Sequence, residues 1–190
     1  MSGKRYYGKY RGTVLNNLDP MQRARIQATV PAVSTIPLTA WCEPCLPLAG
    51  KQMGAYFVPQ IGAGVWIEFE QGDPSRPIWT GCFWGSLAEV PTFALAGVPA
   101  SPSIVLQTAL QNMLMISDVP GAVGGIMLQI GPTPAVASIS ISDTGIILQS
   151  GASMISMTPE GAIVITGGAG SVTVGPALSV TVNADGLVVT

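Results

Sequence analysis

The sequence predicts an all-β protein built from two parts of different chemistry. Three observations support this prediction: short runs alternate apolar and polar residues, turn residues separate these runs, and most of the charge lies in one half of the chain. The 190 residues include 23 Gly and 16 Pro, and 48% are hydrophobic while only 9% are charged. A chain of this composition can bury a core and is not intrinsically disordered.

The first part, residues 1–85, is predicted to form a small closed barrel. Residues 11–16 open the series of strands, and residues 23–30 and 65–70 alternate between apolar and polar side chains. A turn precedes a further strand at 77–84. Several short strands in so few residues are typical of a barrel. The residues predicted to face its core are Ala24, Ile26, Ala28, Val30, Val65, Ile67 and Phe69, and the aromatic residues Trp66, Trp79, Trp84 and Phe83 are predicted to serve as core or subunit contacts.

The second part begins after a Pro- and Ala-rich connector at 86–103 and comprises residues 104–190. Its only formal charges are Asp118, Asp143, Glu160 and Asp185. A stretch with so little charge cannot provide the mixed-charge surface that keeps a monomer soluble.

Strand-like segments of this part alternate small polar with β-branched residues and end in turns that carry Gly or an acidic residue. The Pro-Ala pair at 134–135 recurs at 176–177 with the offset that also separates Asp143 from Asp185. Repeats at constant offset indicate stacked strand-turn units. Because one apolar face of each strand would lie in water, we expect three chains to intertwine into a trimeric β-helix about 40 Å long. The residues predicted to fill its core are Ile139, Ile141, Val172, Val174, Val180 and Val182.

The run from Gly62 to Gly81 contains Val65-Trp66-Ile67-Glu68-Phe69 followed by Gly72-Asp73-Pro74. It closely resembles the OB-fold domain of the phage baseplate assembly protein V and VgrG spike family, and the similarity extends over about residues 8–160. The resemblance implies an OB barrel with Gly72, Asp73 and Pro74 at a barrel turn, followed by a trimeric β-helix spike. It also argues against a helix at 105–116, which propensity alone would allow.

The resemblance further implies a structural role as the central spike of a contractile injection system: a phage tail, a tailocin, an extracellular injection particle or a type VI apparatus. In such a machine the OB domains lie beneath inner tube or hub proteins, and the spike pierces the target envelope when the sheath contracts. The implied partners are two further copies of the chain, the tube or hub proteins, baseplate subunits, a PAAR-type tip protein at the C-terminal end and, transiently, the target membrane.

Composition and spacing argue against catalysis. The chain has no His, which excludes His-dependent triads and His metal sites. The four acidic residues of the second part fall at separate turns, where turn formation explains them better than acid–base chemistry does.

Cys42-Glu43-Pro44-Cys45 is predicted to be a structural loop because of its prolines. A metal site at Cys42 and Cys45, shared around a trimer axis, is the weaker alternative. We expect no cofactor and no enzymatic activity.

The alternative function is an OB-fold module with a trimerising β-stalk that binds a glycan or a nucleic acid; an enzyme acting on peptidoglycan is a third possibility. Lys9, Arg11, Arg23 and Arg25 could form a basic stripe, but the net charge is −2, and we expect no nucleic-acid partner.

No apolar segment follows the basic N-terminus, and three Cys are too few for a disulfide scaffold. We therefore expect synthesis in the cytoplasm without a signal peptide, followed by assembly into a phage tail or an extracellular particle.

Overall fold

The structure is a computed structural model that describes residues 4–96, 101–175 and 180–182. These residues are almost entirely β-structure, with short 3-10 turns at Glu70–Gly72, Leu87–Glu89 and Thr92–Leu95. The predicted all-β class is therefore confirmed. Within the described residues, no helix has the length and hydropathy needed to cross a membrane. The chain divides into two compact units, Met1–Glu89 and Val90–Thr190.

The first unit is a five-stranded sheet in the order β2-β1-β6-β7-β3, with a separate hairpin of β4 and β5. Its strands are β1 (Tyr10–Asn16), β2 (Gln27–Thr29), β3 (Glu43–Pro44), β4 (Ala49–Gly50), β5 (Met53–Gly54), β6 (Gly64–Phe69) and β7 (Pro77–Phe83). Strands β3 and β7 are parallel, and the other pairs are antiparallel. The edge strands of this sheet are β2 and β3, and Ile26 and Cys42 lie directly before them. The N–H of Ile26 donates to the Cys42 carbonyl at 3.3 Å, and the N–H of Cys42 donates to the Ile26 carbonyl at 2.7 Å. This bridge joins the edges of the sheet in the manner of an OB barrel.

The alternation of apolar and polar residues along the strands determines which side chains form the core of this unit. All seven of the aliphatic and aromatic residues predicted to face the core are buried, and Trp79 lies beside them with its indole N–H donating to the Ala24 carbonyl at 2.9 Å. Trp66 and Phe83 instead lie on the outer face of the sheet, and Trp84 is exposed.

The predicted strand at 23–30 is shorter than expected, although its buried face is correct. Only Gln27–Thr29 pair as a strand. The carboxylate of Asp19 accepts hydrogen bonds from the backbone N–H groups of Met21, Arg23 and Arg25. These hydrogen bonds curve the backbone between Met21 and Arg25 around the carboxylate of Asp19. Ala24 therefore has a φ of +60°, a left-handed conformation that a β-strand cannot contain.

The second unit contains a nine-stranded sheet in which every strand pairs antiparallel with the next one along the chain. Its strands are β8 (Ile104–Gln107), β9 (Met113–Ser117), β10 (Gly125–Ile130), β11 (Ala137–Ser142), β12 (Gly145–Ser150), β13 (Ser153–Met157), β14 (Ile163–Gly167), β15 (Gly170–Val174) and β16 (Val180–Val182). The segment at 105–116 thus forms strands, as the resemblance implied. Phe93, which lies in the predicted connector, packs on Met113, Met115 and Met127 of this unit.

The strand-turn units of the single chain are successive hairpins of one meander. The second copy of the sequence repeat, at 176–177 and Asp185, lies outside the described residues. The intertwining of three chains into a β-helix remains a prediction that goes beyond the single chain.

Candidate functional site

The register of the nine-stranded sheet brings large apolar side chains into two straight rows on one face. Each strand contributes one residue to each row, because side chains two positions apart share a face. The first apolar row consists of Ile104, Ile116, Ile126, Ile141, Ile146, Met157, Ile163, Val174 and Val180. The second apolar row consists of Leu106, Leu114, Leu128, Ile139, Leu148, Ile155, Ile165, Val172 and Val182. We call these two rows together the apolar face.

The opposite face of the sheet has a different chemistry. Over the first three strands it holds the methionines that Phe93 covers. Farther along it carries mainly hydroxyl and amide side chains, with a few apolar residues such as Ile147 and Val164 among them. The polar residues of this face include Ser138, Ser140, Gln149, Ser156, Thr166, Ser171, Thr173 and Thr181. The sheet therefore has one side suited to water and one that is not.

The apolar face is open to solvent in the single chain. Ile139 is 42% exposed, Ile165 45% and Val180 66%, values that belong to surface positions rather than to a core. A groove of about 1210 Å³ runs along the second apolar row. Contiguous apolar surface on this scale is rare on soluble monomers and marks a protein–protein contact. Its position on a rigid hydrogen-bonded sheet makes it the candidate functional site of the second unit.

All six residues predicted for a trimer core lie on the apolar face. Ile141, Val174 and Val180 belong to the first row, and Ile139, Val172 and Val182 belong to the second. Sequence reasoning missed the other members of both rows. In a run such as Ile146-Ile147-Leu148 apolar and polar residues do not alternate, so the sequence does not show which side chains share a face. The pairing of Ile146 with Ile141 places Ile146 on the apolar face.

The predicted barrel turn has a specific local geometry. Gly72 has a φ of +76°, and a Cβ there would lie 3.0 Å from the ring of Tyr7. The backbone N–H of Tyr6 donates to the carbonyl oxygen of Gly72 at 2.9 Å. Asp73 accepts hydrogen bonds from the N–H and the hydroxyl of Ser75 at 3.0 and 2.7 Å, and the latter contact is the main cause that lowers the pKa of its carboxyl. The N-terminal segment at Tyr6 and Tyr7 thus packs on this turn. Pro74 is the next residue of the turn after Asp73.

The two cysteines of the Cys-x-x-Cys motif lie in different environments. Cys42 is fully buried in the barrel core, and this burial raises the pKa of its thiol to about 12. Cys45 is exposed. Neither thiol belongs to a group of three or more potential metal-binding side chains in the described part of the chain. Cys42 therefore acts as a small apolar core residue in the single chain.

The acidic side chains that the structure describes in the second unit make separate turn contacts rather than gather into a site. Asp118 accepts a hydrogen bond from Ser101 at 3.0 Å, and Asp143 accepts one from the backbone of Gly121 at 2.9 Å. A side-chain hydrogen bond from Thr158 is the main cause that lowers the pKa of Glu160. Asp185 lies outside the described residues. These contacts hold turns in place.

The predicted basic stripe is divided by ion pairs. Lys9 contacts Glu68 at 2.6 Å, Arg23 contacts Glu43 at 2.8 Å, and Arg25 contacts Asp19 at 2.6 Å. Three of the four cations proposed for nucleic-acid contact are thus already neutralised by acidic neighbours. Arg11 is the exception.

Two family models match the chain. Residues 10–84 match the type VI secretion system/phage-baseplate injector OB domain, and residues 103–161 match the phage baseplate V C-terminal trimerisation domain. Together the two models match well over half of the chain. A search of curated proteins found no match. The first model coincides with the closed sheet of the first unit, and the second covers the apolar face from β8 to β13.

Proposed function

This chain belongs to the phage baseplate V family, and from that premise we propose that it is the central spike of a contractile injection system. The OB and trimerisation domains support a structural role in the baseplate and assembly as a homotrimer in a phage tail or a phage-tail-like particle. The proposal goes further in assigning the chain to the element that pierces the target envelope.

The observation that carries the proposal is the apolar face. One chain has no second layer to cover it among the described residues, and burial of each large aliphatic side chain is worth about 1.5–3 kcal/mol. Three copies that turn this face toward a common axis would bury both rows in one core. The six predicted core residues, Ile139, Ile141, Val172, Val174, Val180 and Val182, would then lie at the axis.

A trimer of this kind would be a stiff rod. Each strand is hydrogen-bonded to its neighbour along the whole meander, and the three sheets would share a dry interior that resists bending. The side directed to solvent would carry mainly hydroxyl and amide groups, so that little charge would have to be dehydrated when the rod enters a membrane. These properties suit a spike that transmits the force of sheath contraction.

The proposed partners follow from this role. We expect the OB units to connect to inner tube or hub proteins and to baseplate subunits, and a PAAR-type tip protein to cap the C-terminal end. The families that the chain matches are structural baseplate proteins. Together with the engagement of Asp118, Asp143 and Glu160 in turn contacts, this supports a role without enzymatic activity. The ion pairing of Lys9, Arg23 and Arg25 argues against a nucleic-acid-binding OB module.

The proposal is tested by deleting the gene in a cell that produces the particle and restoring it on a plasmid. We expect particles lacking the chain to lose envelope penetration, measured as leakage of a dye from target cells. The full chain should restore penetration, whereas a variant with Ile141→Asp, which places carboxylates on the apolar face, should not. Normal leakage caused by particles without the chain would contradict the proposal.

A further inference from the structure

A second candidate contact surface lies on the outer face of the first unit. Arg11 of β1 is directly opposite Trp66 of β6, and Phe83 of β7 lies beside both. The guanidinium carbon of Arg11 is 5.0 Å from the centre of the Trp66 ring and 4.5 Å from that of Phe83. The two ring centres are 5.1 Å apart. We call these three residues the arginine–aromatic platform.

The platform is held in place by the strands beneath it. A Cβ at Gly64 would lie 2.7 Å from the ring of Phe83, so the absence of a side chain there leaves room for the ring. Contact with two rings, whose planes are tilted by 51° to each other, restricts the position of the Arg11 guanidinium before any partner arrives. A preorganised Arg next to Trp is typical of the residues that dominate the energy of protein–protein contacts.

The edges of this guanidinium remain available. Arg11 is exposed and makes no hydrogen bond or ion pair within the described residues. The N–H donors of a guanidinium form a planar fork that matches a carboxylate, and those of Arg11 have no acceptor among the residues that the structure describes. An acidic side chain therefore has the charge and the geometry to bind this group.

A carboxylate from another copy of this chain is a poor candidate, because the acidic side chains that the structure describes already have partners. The pairs within the first unit involve Asp19, Glu43, Glu68, Glu70, Asp73 and Glu89, and those within the second involve Asp118, Asp143 and Glu160. Moving one of them to Arg11 of a neighbouring copy would only exchange one contact for another, so a carboxylate without a partner of its own is favoured.

We infer that the arginine–aromatic platform is a docking site for an Asp or Glu side chain of a different protein subunit of the particle. This inference rests on the proposed function, since it requires that the chain be built into a larger assembly. The partner is expected to place an apolar group on Trp66 and Phe83 and its carboxylate on the edge of the Arg11 guanidinium. Such an acidic residue would fix the orientation of the OB unit within the assembly.

The test uses particles purified from producing cells that carry the full-length chain as wild type, Arg11→Glu or Lys51→Glu. Lys51 is an exposed cation in the turn between β4 and β5, so its reversal is the matched control for charge. We expect Arg11→Glu to lower the amount of the chain per particle on the order of tenfold or more, and Lys51→Glu to leave it unchanged. Both variants should remain trimers in the soluble fraction, because neither changes the apolar face.

A second arm identifies the partner chemistry. In particles that carry Arg11→Lys, a carbodiimide joins the introduced amine directly to a carboxylate in contact with it. A cross-linked peptide from a different protein, joined through Asp or Glu, supports the docking site. Normal incorporation of Arg11→Glu, or cross-links at position 11 confined to copies of this chain, would overturn it. Absence of the wild-type chain from purified particles would instead contradict the proposed function, and the docking site with it.

Discussion

Met157 lies directly opposite Ile163 on the neighbouring antiparallel strand. This pair spans the point where the match to the trimerisation domain ends, at residue 161. Beyond it, both apolar rows continue through β14, β15 and β16 without a polar residue. The surface that we propose as the trimer interface is therefore one uninterrupted feature of the sheet, and it is longer than the matched domain.

Neighbouring residues on β11 distinguish the two faces of the sheet. We expect Ile141→Asp to abolish the trimer at micromolar concentration, because it would place three unpaired carboxylates around one axis in a dry core. Ser140→Asp introduces the same charge on the opposite face and should leave the trimer intact. The measurement is molar mass by light scattering. Equal masses for the two variants would refute the assignment of the faces.

Gly121, in the turn before β10, and Gly125, the first residue of β10, differ in what a side chain would meet. Both have positive φ angles, +91° at Gly121 and +75° at Gly125. A Cβ at Gly121 would meet open space, whereas a Cβ at Gly125 would lie 2.0 Å from the carbonyl oxygen of Ile141. We expect Gly121→Ala to cost about 1–2 kcal/mol of unfolding free energy, and Gly125→Ala to cost about 1–3 kcal/mol more.

Chemical denaturation at one fixed chain concentration measures this difference, since the stability of an oligomer depends on concentration. Equal unfolding free energies for the two variants would show that the close approach of β10 and β11 at Gly125 is incorrect.

Asp19 makes the stability of the first unit depend on pH. Its side-chain hydrogen bonds with Arg25, supported by backbone N–H groups, hold the pKa of its carboxyl well below the ordinary value. A group whose pKa is lowered on folding stabilises the protein above its unfolded pKa of about 4 and loses that contribution as the pH falls toward the folded pKa. We therefore expect Asp19→Asn to lower the unfolding temperature at pH 7, and this deficit to shrink below about pH 4.

Glu70 supplies the control for this prediction, because its ion pair with Arg76 at 2.9 Å is exposed. Glu70→Gln should change the unfolding temperature little at either pH, since exposed ion pairs contribute little. A deficit of Asp19→Asn that stays constant from pH 7 to pH 3 would rule out the ion pair as its cause.

The thiol of Cys42 should be inert in the folded chain. Because burial raises its pKa to about 12, it should remain protonated and inaccessible to an alkylating reagent at pH 8. Labelling followed by peptide mass spectrometry should modify Cys42 only after unfolding, whereas the exposed Cys45 should react in the native state. Rapid native labelling of Cys42 would contradict its role as a buried core residue.

The part of the fold that could be predicted from sequence is the part set by local alternation. Val65, Ile67 and Phe69 are buried as expected, because a strand places every second side chain on the same face. The strand at 23–30 was predicted too long, because its start is set by hydrogen bonds to Asp19 that alternation does not reveal.

The candidate site could be predicted only in part for a similar reason. The alternation Ser138-Ile139-Ser140-Ile141 shows directly which residues share a face, whereas Ile146 and Leu148 acquire theirs from pairing with β11. The arginine–aromatic platform could not be foreseen either. Arg11 and Phe83 are far apart in sequence, and only the pairing of β1, β6 and β7 brings them together around Trp66.

The most direct test of the proposed trimer interface is the reactivity of thiols placed on the two faces of β14. Ile165 belongs to the second apolar row and is 45% exposed in the single chain, while the adjacent Thr166 lies on the opposite face. We predict that, in the native full-length protein, an alkylating reagent modifies the Thr166→Cys variant rapidly and the Ile165→Cys variant only after unfolding. Rapid native labelling of both variants would contradict burial of the apolar face between chains.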